Sequence, residues 1–203
     1  MRKRIIGFDR VTEWREEQWL DIGKLAEIEV TSEDESFPIQ SAIFPGVNRS
    51  WRAGGPGKQA IRIVFDQKQK LTRIFLIFEE RDIARTQEFV LRWAHGIGEP
   101  YREIVRQQWN FSPPRTVREA EIYWVPLSNV KVLELLIQPD IADGEAVASL
   151  AQLRSPKMNV DRLEGINGRS EQDLRSDSAN LLATRWGVAV RLLPFTDHTA
   201  KAD

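Results

Sequence analysis

The chain contains no cysteine and only two histidines among its 203 residues. The lack of cysteine excludes disulfide bonds, thiol catalysis and cysteine-ligated metal clusters, and it is typical of a protein from a reducing compartment. His95 and His198 have no partners at the spacing of metal ligands or of a catalytic triad. The segment GGPGK (54–58) lacks the Lys-Ser/Thr step and the strand-to-helix setting of a phosphate-binding loop. We therefore predict a protein that is not an enzyme.

Long apolar runs and an excess of charge of one sign are also missing. No run approaches the roughly 18 apolar residues that a membrane helix needs, and MRKRIIGFDR at the start has no apolar stretch of the kind found in secretory signals. The 29 basic and 30 acidic residues give a net charge of −1, so a generally basic nucleic-acid-binding protein is not indicated. We expect a cytoplasmic protein that does not contact a membrane.

What the chain does contain is apolar residues in alternation. Hydrophobic residues make up 41% of the sequence, enough for a packed core. Ala26–Thr31 alternates apolar and polar residues, and Thr86–Ala94 places Gln87, Phe89, Leu91 and Trp93 on one side, as in half-buried strands. The predicted strands are 26–31, 61–66, 71–80, 86–94, 101–110, 117–127, 129–139 and 147–154.

Short connections join these segments, and they carry turn residues instead of helical periodicity. Successive strands without intervening helices predict an all-β antiparallel sandwich or barrel over residues 25–154. Residues 1–24 are expected to form a lead-in that packs Trp14 and Trp19 on the sandwich. Residues 155–203 form a polar extension that we expect to be partly ordered at best. Its apolar segment Trp186–Leu193 could add a strand to this chain or to a neighbouring one.

The connections of an antiparallel sandwich fall at alternate ends. If each predicted strand crosses the sandwich, the longer connections share one end, and they are residues 32–59, 80–85, 111–116 and 139–146. The connections 67–70, 95–100 and 127–129 then share the other end. Binding residues concentrate on long loops held by a rigid scaffold. The end with the longer loops is therefore the predicted binding end, and it includes Trp109–Phe111.

Two neighbouring residues in the first long loop are candidates for ligand contact. Trp51 and Arg52 precede a glycine-proline turn, and tryptophan faces and arginine forks often grip sugars, peptides or nucleotides. Alternatively, Trp51 closes the end of the sandwich and Arg52 pairs with an acid. Trp109 is in phase with Val105, which favours a core position, and Asn110 is the better ligand candidate of this pair.

Charged residues at the same end allow two further hypotheses. Arg81, Arg85 and Arg115, together with Arg52, would form a positive rim suited to a carboxylate, sulfate or phosphate. Alternatively, they are solvated and paired with nearby acids. The acidic run 33–35 could help to hold a structural calcium ion, although no calcium-loop spacing accompanies it and a solvated acidic turn is the alternative.

The order of these segments resembles the discoidin, or coagulation factor 5/8 type C, family of galactose-binding-like jelly rolls. The resemblance covers roughly residues 25–154 and ends at Leu150–Arg154. It is carried by EVTSEDESFPIQSAI, SWRAGGPGKQAIRIVF, KLTRIFLIFEE, RTQEFVLRWA, YREIVRQQWNF, VKVLELLIQPD and ASLAQLR. The cysteine pair of many extracellular members is absent here.

The resemblance implies a jelly-roll sandwich that binds glycans, lipid headgroups or proteins without catalysis, through loops at one end and sometimes beside a structural calcium. We therefore expect a non-catalytic module that recognises a carbohydrate or similar polar ligand. One alternative is a protein–protein adaptor, possibly a homo-oligomer that associates through the C-terminal extension and the exposed arginines. Nucleic-acid binding through the arginine rim is a weaker alternative, and it would depend steeply on salt.

Overall fold

This computed structural model describes residues 19–44, 50–157 and 189–192. These residues contain nine strands and two helical turns. The strands are β1 (Ala26–Val30), β2 (Trp51–Pro56), β3 (Gln59–Glu79), β4 (Arg85–Ala94), β5 (Arg102–Phe111), β6 (Arg118–Gln138), β7 (Val147–Leu150), β8 (Gln152–Arg154) and β9 (Ala189–Leu192). The helical turns are α1 (Ile22–Leu25) and α2 (Gln40–Ile43).

Two 21-residue strands, β3 and β6, run through both layers of the fold. The two strands pair antiparallel, so the first half of β3 pairs with the second half of β6 and the reverse. Ile63 lies opposite Leu133, and Phe75 lies opposite Ile122. One half of this ribbon joins the sheet β1-β3-β6-β4-β5, and the other half pairs with β8 and β9. Strand β2 pairs with β7. The result is a mainly antiparallel all-β sandwich, as predicted; β9, which lies parallel to β6, is the exception.

Two details of the predicted strand pattern are corrected. The predicted strands 61–66 and 71–80 are one strand, and so are 117–127 and 129–139. The polar residues 66–70 are not a turn between two separate strands, because the ribbon bends there through register shifts that keep the pairing with β6. Asn129 takes a positive φ of 59° at the matching bend of β6, a conformation that asparagine tolerates. The other correction concerns β2, which lies in the predicted connection 32–59. Its Gly-Gly-Pro sequence is more typical of a loop than of a strand.

The core fills the space between the two layers. Predicted inward residues of β4 are buried, with Phe89 and Leu91 fully inaccessible, and the rings of Phe78 and Phe89 lie 5.0 Å apart. The lead-in packs against the sandwich through Trp19, whose ring meets Phe75 edge-on at 4.8 Å. Trp14 lies outside the described residues. The apolar segment of the extension does contribute a strand to this chain, β9.

The outer face of the five-stranded sheet carries a cross-strand row of alternating charge. Glu29, Arg62, Glu134, Arg92 and Glu103 are successive partners on the five strands. Glu134 is 1% exposed and accepts hydrogen bonds from Arg62 Nε at 3.0 Å, from the Arg92 guanidinium and from the Tyr101 hydroxyl at 3.2 Å. Opposite charges directly across strands stabilise a sheet, so this row supports the observed register of the sheet.

Glu119 leads to a prediction about pH. Its carboxyl group lies opposite Phe78 on the inner side of β6, and burial raises its pKa. The folded state therefore binds this proton more tightly than the unfolded state, and the contribution to stability is lost as pH rises through the raised pKa. We expect Glu119→Gln to be more stable than wild type at pH 7 and no more stable at pH 4. Screening by solvent at this partly open position limits the gain to about 0.5 kcal/mol.

Thermal unfolding of both proteins across pH 4 to 8 measures this difference. A constant difference in unfolding temperature over the whole range would contradict the assignment, because titration of the Glu119 carboxyl would then play no part.

Candidate functional site

The longer connections meet at one end of the sandwich, which we call the loop pole (residues 31–39, 52–59, 80–86, 110–117 and 138–147). Hydrogen bonds join its segments, and Pro56 pairs with Val147 across β2 and β7. The Thr86 hydroxyl donates to Asn110 Oδ1 at 2.7 Å. Asp34 N–H donates to the Arg52 carbonyl at 2.9 Å, Ile141 N–H donates to the Thr86 carbonyl at 2.9 Å, and Arg85 Nη1 donates to the Val147 carbonyl at 2.8 Å. These contacts confirm the predicted gathering of the long loops at one end.

The opposite end, which we call the turn pole, consists of residues 66–70, 95–102 and 128–131. His95 Nδ1 lies 3.2 Å from the Asn129 carbonyl oxygen, and Lys131 Nζ donates to the Asp66 carbonyl at 3.1 Å. The bends of β3 and β6 therefore share this end with the connection between β4 and β5, as predicted.

The first loop of the loop pole is held by its own polar side chains. The hydroxyls of Thr31 and Ser32 donate to Gln59 Oε1 at 2.6 and 2.8 Å. Glu33 Oε2 accepts from the Ile39 N–H at 2.9 Å, at the start of α2, and Asp34 Oδ1 accepts from the Ser36 N–H at 2.8 Å. Two of the three acidic residues considered for calcium thus bind backbone amides. Within the described part of the chain, no group of three His, Cys, Asp or Glu side chains could hold a metal ion.

Trp51 does not form the predicted binding platform. It pairs with Leu150 at the start of β2, and its side chain is 0% exposed, so its ring cannot stack on a ligand at the surface. The alternative interpretation, in which Trp51 closes the end of the sandwich, fits the structure. Arg52 points to the other side of the strand, where it is half-buried and its guanidinium lies 5.9 Å from the centre of the Phe37 ring.

The predicted positive rim is not formed. Arg81 is exposed and pairs with Glu79 at 3.2 Å, whereas the side chain of Arg85 is 1% exposed and pairs with Glu80 at 3.1 Å. Arg115 is exposed and has no ion pair with any described residue. Eight acidic residues outnumber five basic ones at the loop pole, which gives a net charge of −3. They are Glu33, Asp34, Glu35, Glu80, Asp82, Asp140, Asp143 and Glu145, against Arg52, Lys58, Arg81, Arg85 and Arg115.

The buried pair of Glu80 and Arg85 positions the loop between β3 and β4. Glu80 Oε1 accepts from the N–H groups of Asp82 and Ile83 at 2.9 and 3.2 Å, while Arg85 reaches the Val147 carbonyl. Burial lowers the pKa of Arg85, and the nearby Glu80 carboxylate opposes this shift. The pair therefore ties the loop to β7 from inside the protein. The sequence contains these two residues, but it does not show that both point inward.

Trp109 and Asn110 lie on opposite sides of β5. Trp109 is directly opposite the fully buried Gln87 and packs against the core. Asn110 is exposed, and its Oδ1 accepts from the Thr86 hydroxyl at 2.7 Å. Trp109 therefore belongs to the core, as the sequence pattern favoured, and Asn110 lies at the surface of the loop pole.

A shallow groove between the β2–β3 turn and the β6–β7 loop is a further candidate site, which sequence reasoning did not identify. Its side-chain groups are those of Gln138, Asp143 and Glu145, beside Pro56 and Gly57. Gln138 Nε2 donates to Asp143 Oδ1 at 3.2 Å, and Asp143 has a positive φ of 55°. Amides and carboxylates such as these can hydrogen-bond to ligand hydroxyl groups. The two walls are about 80 positions apart in the sequence, so only folding brings them together.

Gly144 shapes the groove, because an added Cβ would lie 2.5 Å from Asp140 Oδ2. Asp140 cannot simply move away, since its Oδ1 accepts from the Ala142 N–H at 3.0 Å. A side chain at position 144 would therefore disturb the turn that presents Asp143 and Glu145.

No family model matches the chain, and no curated protein matches it by sequence. Solved structures do match it. The family 32 carbohydrate-binding module of NanJ from Clostridium perfringens, in complex with galactose, has a TM-score of 0.51 at 12% identity, over 69% of this chain and 98% of that one. The two family 32 modules of ZmpB from the same organism, in complex with GalNAc, have a TM-score of 0.52 at 16% identity, over 87% of this chain and 48% of theirs.

Identities this low establish a common fold and nothing finer. Within the described residues, no helix is long and apolar enough to span a membrane. The chain thus has the galactose-binding-like jelly-roll fold seen in family 32 carbohydrate-binding modules.

Proposed function

We propose that this protein is a non-catalytic carbohydrate-binding module whose ligand site is the groove of the loop pole. The observation that carries the proposal is the groove itself. It presents one amide and two exposed carboxylates on a turn whose backbone is fixed by Asp140 and Gly144. Fixed polar groups around a shallow depression suit a hydroxyl-rich ligand, because little conformational entropy is lost on binding. The fold supports the same class, since its solved neighbours include modules bound to galactose and GalNAc.

The charge of the loop pole narrows the class of sugar. A net charge of −3, with Asp143 and Glu145 in the groove, disfavours uronic acids, sulfated sugars and phosphates. The carboxylates would instead accept hydrogen bonds from neutral hydroxyl groups, and hydrogen bonds to charged groups are stronger than neutral ones. We therefore propose a neutral sugar as the ligand. This replaces the anionic ligand that the predicted arginine rim had suggested.

Calorimetric titration of the full chain with neutral and acidic sugars, selected on a glycan array, tests the proposal. We expect Asp143→Asn and Glu145→Gln each to weaken binding of the neutral sugar about tenfold or more, because each removes a charged acceptor worth about 1.5–3 kcal/mol. Asparagine keeps both the shape of Asp143 and its tolerance of positive φ. Glu35→Gln is the matched control, since it removes an exposed carboxylate of the loop pole outside the groove. If all three variants bound the neutral sugar with equal affinity, the groove would be excluded as its binding site.

Asn110, Arg115, Arg52 and Arg81 remain candidate contacts from the sequence, since all four are exposed or half-exposed at the loop pole. The sugar affinities of Asn110→Ala and Arg115→Ala show whether the site extends beyond the groove. A loss of affinity in these variants as well would extend the site across the pole, whereas a loss confined to Asp143 and Glu145 would restrict it to the groove.

A further inference from the structure

The exposed large hydrophobic side chains of the described residues lie only at the two poles. Ile97 is 74% exposed at the tip of the β4–β5 connection, between Gly96 and Gly98, in the turn pole. Ile83 and Ile141 are each 47% exposed in the loop pole. Large apolar groups this accessible are candidates for association when they form part of a larger complementary surface.

The two poles also carry opposite charge. The turn pole has four basic residues, Lys68, Lys70, Arg102 and Lys131, and two acidic ones, which give a net charge of +2. The loop pole has a net charge of −3. The described part of the sandwich therefore carries opposite net charge at its two ends. Complementary charge of this kind steers encounters and fixes the orientation of partners.

We propose that the turn pole of one copy docks on the loop pole of a second copy. Ile97 then packs against Ile83 or Ile141, while the lysines of the turn pole face the surplus carboxylates of the loop pole. A second copy fits because this chain itself provides both complementary surfaces. The two surfaces differ, so the contact is head-to-tail and does not close into a symmetric dimer.

The contact is small, since it joins the tips of loops. Small interfaces are weak and transient. The attraction between exposed charges is screened beyond about 10 Å at 0.1 M salt. Association is therefore expected to appear at high protein concentration and to weaken as salt increases. The test below contains no sugar, so its outcome does not depend on whether the groove of the loop pole binds one.

Sedimentation velocity of the full chain over a concentration series, at low and high salt, measures this association. One variant blocks the turn pole, Lys68→Glu with Ile97→Glu. Another blocks the loop pole, Ile83→Gln with Ile141→Gln, and it leaves the charge unchanged so that two blocked poles do not attract each other. Each variant alone is expected to associate at least tenfold more weakly than wild type. Arg106→Glu, on the outer face between the poles, is the matched control for added negative charge and is expected to associate like wild type.

A mixture of the two blocked variants is the decisive measurement. Each variant keeps one intact pole, so the mixture is expected to form dimers of one copy of each and nothing larger. A wild type that is monomeric at every concentration would overturn the proposal. So would variants that associate as well as wild type, or a mixture that stays monomeric although wild type associates. Circular dichroism confirms that each variant is folded.

Discussion

Replacement of Trp51 by alanine is expected to lower the free energy of unfolding by about 3–5 kcal/mol, the range found for large buried aromatic residues. Trp51 is 0% exposed and belongs to the core cluster, and it lies opposite Leu150 where β2 pairs with β7. Truncation would leave a cavity that the pairing of β2 with β7 limits from collapsing. Such a loss is a large part of the 5–15 kcal/mol that stabilises a typical domain.

Urea unfolding followed by circular dichroism measures this effect. Arg52→Ala is the matched control, because Arg52 is the next residue of the same strand and points to the partly open side. We expect the control to lose less than about 1 kcal/mol. If Trp51→Ala were as stable as Arg52→Ala, Trp51 would be accessible in solution, and its earlier interpretation as a binding platform would return.

Replacement of Arg85 by alanine has the second large expected effect, a loss of about 3–5 kcal/mol. The change leaves the carboxylate of Glu80, which is 6% exposed, without its counter-ion. It also removes the donor to the Val147 carbonyl that ties the β3–β4 loop to β7. An unpaired charge in the interior costs far more than the pair contributes, because its desolvation is no longer offset.

The double variant Glu80→Gln with Arg85→Met separates this cause from loss of packing. Neutralising both partners removes the buried charge, so we expect the double variant to be more stable than Arg85→Ala. Arg81→Ala is the exposed control and is expected to cost about 0–0.5 kcal/mol, since its ion pair with Glu79 is solvated. A double variant no more stable than Arg85→Ala would indicate that packing of the arginine side chain, and not its charge, is what matters.

Alternation in the sequence predicted most of the strands for a clear physical reason. Residues such as Phe89 and Leu91 must face the core and their neighbours must face solvent, and only a period of two achieves this in a strand. The same reasoning failed at residues 67–70 and 127–129, which were predicted to be turns between strands. Polar residues at the bend of a continuous ribbon look like polar residues in a turn, because both are exposed at the end of the sandwich. Strand β2 was missed because glycine and proline usually end strands, and β2 contains both at its end.

The candidate site shows a sharper limit of sequence reasoning. Trp51 and Arg85 were chosen as surface residues because their side chains often bind ligands, yet both are buried. The chemical type of a residue does not indicate whether its side chain points inward. For Arg85 this depends on Glu80 in the same loop and on Val147 of β7. Asn110 was placed correctly at the surface because its neighbour Trp109 is in phase with the core residue Val105. The groove beside Asp143 was not predicted, since its walls come from distant segments.

The sequence by itself determined the all-β class, most strands and the end at which the long loops gather. These features depend on the alternation of apolar and polar residues within each strand and on successive connections falling at alternate ends of the sandwich. Only the tertiary structure decided which polar side chains face solvent, which are consumed in buried pairs and which line the groove. Those outcomes depend on contacts between residues far apart in the chain, and the free energy of burying a charge is set by the partner that folding brings to it.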